Sequence, residues 1–130
     1  MSDNAKNEFT LILTVVNRGF ADTVIDAARE AGARGGTIFY ARGTGVHEVE
    51  KFFAVSIQPE KEVVLTLVRK EETRHVMEHI VRAAGLRTEG KGLSLALPVS
   101  NVAGISAYGE RTGDEPAEAE QGRKQDPSQS

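Results

Sequence analysis

The chain has 130 residues, enough for one domain with one modest core. Aromatic residues make up 5% and Trp is absent, so the core is expected to be aliphatic, and a small domain of this kind gains from oligomerising. A net charge of −3 argues against nucleic acid as the partner, and the lack of cysteine excludes thiol catalysis, disulfides and thiolate metal sites.

Phe9–Val16 (FTLILTVV) is β-branched and aliphatic on both faces, which predicts a central strand. The stretch is too short to span a bilayer, and no targeting segment precedes it, so a soluble cytoplasmic protein is expected. Asn17, Arg18 and Gly19 break the pattern. From Phe20 to Ala31 the apolar positions Phe20, Val24, Ala27, Ala28 and Ala31 mark one helix face, with Gly32 as the stop. Thr37–Ala41 reads as a second strand, punctuated by Gly43, Thr44 and Gly45. The polar segment to about Lys51 reads as a flexible loop. Phe53, Val55 and Ile57 alternate with Ala54 and Ser56 as a half-buried strand. A turn at Gln58–Lys61 leads to a strand at Glu62–Arg69, and the pair reads as a hairpin.

Glu71–Ala84 predicts the second helix, with Val76, Met77, Ile80, Val81 and Ala84 on one side and Gly85 as its stop. The loop Arg87–Gly92 precedes a strand in which Leu93, Leu95, Leu97 and Val99 alternate with smaller residues. Pro98 places that strand at an edge. The order strand, helix, strand, strand, helix, strand is that of an α+β, ferredoxin-like βαββαβ sandwich, with both helices on one face of an antiparallel sheet. The uncovered apolar face predicts a homo-oligomer with its sheets turned inward. Gly109–Ser130 holds no aromatic residue and no Leu, Ile, Val or Met. Residues 1–7 and 108–130 are accordingly expected to be disordered ends of a domain at 8–107.

Two glycine turns are candidate ligand sites. In Arg42-Gly43-Thr44-Gly45, backbone N–H groups can approach an anion closely and Arg42 can add a guanidinium. Arg87-Thr88-Glu89-Gly90-Lys91-Gly92 holds the equivalent place in the other half. The two could share one cleft, within a chain or across a subunit interface. His75 and His79, with Glu72 three residues before His75, fall on one arc of the second helix. That is either a surface metal site or an ordinary solvated face. Catalytic groupings are missing: no Ser lies in a Gly-x-Ser-x-Gly elbow, and the carboxylates sit on helix faces or in the tail. The chain reads as a binding protein, not an enzyme.

The run Gly35-Gly36-Thr37-Ile38-Phe39-Tyr40-Ala41-Arg42-Gly43-Thr44-Gly45, the βαββαβ order and the run Gly90-Lys91-Gly92-Leu93-Ser94-Leu95-Ala96-Leu97-Pro98-Val99 resemble the PII nitrogen-regulatory proteins. The resemblance spans about Phe9 to Ile105. It implies a cytoplasmic homotrimer joined through its sheets, with no resident cofactor. By the resemblance Thr37 stands where the family contacts adenine, Gly43 and Gly45 at the root of the signalling loop, and Gly90 and Gly92 on the second phosphate-side loop. With Arg42, Thr44, Arg87 and Lys91 from the two glycine turns they form the expected site between subunits for an adenine nucleotide or small anion. It also implies a loop at residues 44–53, including Val46, His47, Glu48, Val49, Glu50 and Lys51, that docks on a regulated protein. That partner would be a membrane transporter, or an enzyme of nitrogen or carbon metabolism. The chain departs from the classical pattern. Lys91 stands where the family has Asp, Leu93 where it has Lys, and Gly104 and Ser106 where it has arginines. The loop lacks a Tyr. A non-classical branch is implied, whose ligand need not be ATP. The alternative is a trimer resembling the CutA divalent-ion tolerance proteins, which would use His75 and His79.

Overall fold

The computed structural model describes residues 5–43, 50–52, 55–57 and 60–104. By internal contacts the chain divides into a unit of Asn7–Ser100 and a second of Met1–Lys6 with Asn101–Ser130.

Strand β1 (Ala5–Asn17) leads into helix α1 (Ala21–Glu30) and strand β2 (Thr37–Arg42). Two short strands follow, β3 (Glu50–Phe52) and β4 (Val55–Ile57), then β5 (Glu60–Arg69). A single 3₁₀ turn at Lys70–Glu72 opens helix α2 (Thr73–Ala84), and β6 (Gly92–Val102) completes the order. The main sheet has four strands in the order β2-β5-β1-β6. Both β1 and β2 run antiparallel to β5. This is the expected α+β sandwich, with β1 central and the Pro98 strand at an edge.

Alternation along the strands explains the layering. Ile12, Thr14 and Val16 of β1, with Val64, Thr66 and Val68 of β5, face the helices and are fully buried. They meet Val24 and Ala28 of α1 and Val76 and Ile80 of α2. Each large aliphatic side chain so buried contributes about 1.5–3 kcal/mol. The small residues Ala27, Ala28 and Ala31 line the core face of α1, which lets the helices approach closely. Thr14 Oγ1 and Ser94 Oγ share a hydrogen bond of 2.9 Å, so the even residues of β6 face the helices too. The odd residues form the opposite face: Leu11, Leu13 and Val15, with Val63, Leu65 and Leu67, and with Phe39 and Leu93, Leu95 and Leu97 at the two margins. No helix among the described residues covers them; Val63, in the middle of the sheet, is buried, whereas Phe39 and the three β6 leucines are 40–51% exposed.

Two sequence expectations change. Glu62–Arg69 does not form a hairpin with residues 53–57. A strand has two edges, and those of β5 are taken by β1 and β2, in register Asn17 opposite Lys61 and Arg42 opposite Glu60. Val55–Ile57 pairs instead with Glu50–Phe52, in a separate two-stranded sheet. Strand β1 also begins at Ala5, so residues 5–7, expected as part of a disordered end, carry strand backbone.

The start of α1 has a long-range cap. Phe20 occupies the N-cap position and offers no side-chain hydrogen bond. The carboxylate of Glu62, buried on β5, takes its place. Its Oε1 accepts the backbone N–H of Gly19 at 3.1 Å and of Ala21 at 2.9 Å. A carboxylate here satisfies orphan donors and faces the positive end of the helix dipole. Glu62→Ala is expected to cost about 2 kcal/mol, seen as a lower urea midpoint at unchanged slope. Glu62→Gln, which keeps an acceptor oxygen, should lose less than half of that. Equal losses for the two variants would contradict this role.

Candidate functional site

The ends of β1 and β2, the start of β5 and the start of β6 gather at one end of the sheet. Arg42 and Gly43, the described residues of the first glycine turn, lie there, and so does the loop at 87–92. They stand at opposite edges, however, because β2 and β6 are the outer strands. Three strand spacings separate them, about 14 Å. Two groups of side chains occupy this end.

The first group lies on the helix side. Arg18, Tyr40, Ala41, Arg42 and Glu60 line an open hollow of about 480 Å³. Arg18 is ion-paired with Glu60, and its backbone N–H donates to the Glu60 carbonyl. Register places Arg42 opposite Glu60 and Tyr40 opposite the capping Glu62. The hollow thus presents two guanidiniums and one phenol around one carboxylate.

The second group lies at the glycine loop before β6. Gly92 has a φ of +128°, and a Cβ on it would fall almost onto the Val15 carbonyl oxygen, with Val16 Cα at 3.2 Å. Only glycine lets the loop settle this closely on the β1 backbone. Gly90 also has a positive φ, +85°, but space around it is open. Its carbonyl accepts the Asn17 side-chain N–H at 3.0 Å. The Lys91 ammonium lies over the Phe20 ring, 5.5 Å from its centre.

The remaining expected residues are dispersed. Thr37 sits at the far end of β2, exposed on the open sheet face and about 17 Å along the strand from Arg42. Arg87 extends toward Glu78 of α2, with Nη2 3.4 Å from Oε1. Gly43 is described, and its position is against the Lys61 stem. Thr44, Gly45, Val46, His47, Glu48 and Val49 lie outside the described residues, as do Phe53 and Ala54, and Glu50 and Lys51 belong to β3. The rings of His75 and His79 meet edge to face, 4.8 Å apart. Glu72 does not share their helix, because α2 starts only at Thr73. Among the described residues no three His, Asp or Glu side chains gather as a metal site.

Sequence reasoning missed Asn17, Arg18, Glu60, Lys61 and Glu62. Asn17 and Arg18 read as a pattern break, and Glu60 and Lys61 as a turn. Only pairing across the sheet shows that these two short stretches lie side by side.

The profile described as Nitrogen regulatory protein P-II matches residues 9–108, most of the chain and both glycine turns. The chain is a member of the P-II family. Among solved structures it is similar to Arabidopsis thaliana PII bound to citrate, with a TM-score of 0.60 and 25% sequence identity. That match covers 83% of this chain and 88% of the other. No curated protein sequence matches the chain. P-II membership makes this a protein of signal transduction and nitrogen regulation, in a family of regulators. No helix among the described residues is long and apolar enough to cross a membrane.

Proposed function

We propose that three copies of the chain associate through their open sheet faces and sense a small ligand, an adenine nucleotide or a small anion, in the clefts between neighbours. The observation that carries this reading is the separation of the two glycine turns. Arg42 and Gly43 share one end of the sheet with the loop at 87–92 but stand at its opposite edge. A second copy laid against the open face brings one chain's β2 edge near the next chain's β6 edge. Thr37, exposed on that face, then comes within reach of a neighbour. The ligand-binding residues are Thr37, Arg42, Gly43, Thr44, Gly45, Arg87, Gly90, Lys91 and Gly92. The solved PII relative is described as bound to citrate, which supports an anion as the ligand class.

Binding is read out by the segment 44–53, whose conformation shifts according to the ligand's differential contacts with it. That segment regulates a partner protein, a membrane transporter or an enzyme of nitrogen or carbon metabolism in the cytoplasm. The chain itself catalyses nothing. Calorimetric titration with ATP, ADP, AMP, cyclic nucleotides, bicarbonate and citrate tests the reading. At least one should bind, and Arg42→Ala should weaken it about tenfold, the loss of one charge-assisted hydrogen bond. Binding by none of them would count decisively against it.

A further inference from the structure

Asn17 stands at the end of β1, between the two turns. The Lys61 ammonium donates to its Oδ1 at 2.7 Å. Its own Nδ2 donates to the Gly90 carbonyl at 3.0 Å. The orientation of this amide is fixed by chemistry. An ammonium has only donors, so the oxygen must face Lys61. A carbonyl has only acceptors, so the nitrogen must face Gly90. Asp would serve the first bond and lose the second. An aliphatic side chain would serve neither.

Each end of this bridge touches one turn. Lys61 is buried, and its stem passes beside Gly43, where an added Cβ would lie 3.7 Å from its Cγ. Gly43 is the residue from which segment 44–49 departs. Gly90 lies inside the loop that closes on β1 through Gly92. Within that loop, the Lys91 N–H donates to the Thr88 carbonyl at 3.3 Å and the Thr88 N–H to the Gly85 carbonyl at 2.9 Å. The bridge thus crosses two strands of the sheet end and links the root of one turn to the backbone of the other.

We infer that Asn17 is a positioning residue that couples the glycine loop at 88–92 to the root of the segment after Gly43, through the path Gly43–Lys61–Asn17–Gly90. A displacement of Lys61 pulls on the Asn17 amide and changes its hold on the Gly90 carbonyl, and the reverse holds by linkage. The functional weight of this coupling rests on the proposed sensing role. The coupling itself does not, and it is measurable without ligand.

Amide hydrogen exchange on the full chain tests it, with Lys61→Met and Asn17→Asp compared with the parent. Lys61→Met keeps the stem beside Gly43 and removes the donor. It should speed exchange at the Thr88 and Lys91 amides about fivefold, although residue 61 touches neither. Exchange at Val76 and Ile80 should not move, which separates local loosening from general destabilisation. Asn17→Asp keeps the Lys61 bond and sets a carboxylate against the Gly90 carbonyl, so the same two amides should again speed up. If Lys61→Met leaves Thr88 and Lys91 unchanged while Asn17→Asp accelerates them, the two hydrogen bonds are independent and the coupling is overturned. If neither variant accelerates them, it is likewise overturned. A failure of every titration would sink the sensing role and leave this exchange result standing.

Discussion

Leu95→Glu is expected to convert an assembly of three chains into single chains, read as a threefold drop in mass by light scattering. Leu95 is 40% exposed in the isolated chain, so the substitution removes nothing from the core between sheet and helices. Its side chain lies on the open face, flanked along β6 by Leu93 and Leu97. In the proposed assembly that face is covered by the same face of neighbouring copies. A carboxylate at position 95 would then be buried unpaired in every chain. Such burial costs several kcal/mol per site, enough to lower association by three orders of magnitude or more. Ser94→Glu, on the helix side of the same strand, is not an equivalent control because Ser94 is bonded to Thr14. Lys70→Glu, in the exposed turn before α2, is a better one and should leave the mass unchanged. A Leu95→Glu protein that keeps the mass of three chains would place the interface elsewhere.

Gly92→Ala is expected to be the most destabilising change in the glycine loop. Two penalties combine there. A non-glycine residue in the left-handed region costs about 1–2 kcal/mol. Overlap of its Cβ with the Val15 carbonyl costs about 1–3 kcal/mol more, since the backbone of a central strand cannot yield freely. The sum, about 3 kcal/mol, corresponds to a Tm lower by about 12 °C or more for a domain of this size. Gly90→Ala isolates the first penalty, because nothing lies within 4 Å of its added Cβ. It should lower Tm by about 5 °C. Equal shifts for the two variants would mean that the loop does not rest on β1 in solution.

Much of the fold was legible because the two periods of the sequence are clean. Strict alternation in Leu93–Val99 and the helical spacing from Val76 to Ala84 each allow one apolar face. Gly85, with a φ of +67°, ends α2 where the sequence said it would. Val55–Ile57 is a strand, as expected, but its partner differs for an equally physical reason. Alternation tells that a stretch is a strand but not which strand it pairs with, and both edges of β5 at Lys61–Leu65 are taken. The candidate site was less legible. Glycine turns are visible locally, whereas Asn17, Lys61 and Glu62 gain their roles from partners dozens of positions away. The turns' location on opposite edges also follows from strand order, which no single turn encodes.

The cap on α1 has a consequence for the order in which the chain acquires its shape. Helix α1 leaves the ribosome early, yet the carboxylate that fits its first turn comes 41 positions after Ala21. Ten residues are too few for a stable helix on their own. During synthesis α1 therefore frays at its start until β5 has emerged and paired with β1. Closure of that distant loop, rather than the helix's own propensity, sets the moment at which the first half of the domain becomes fixed.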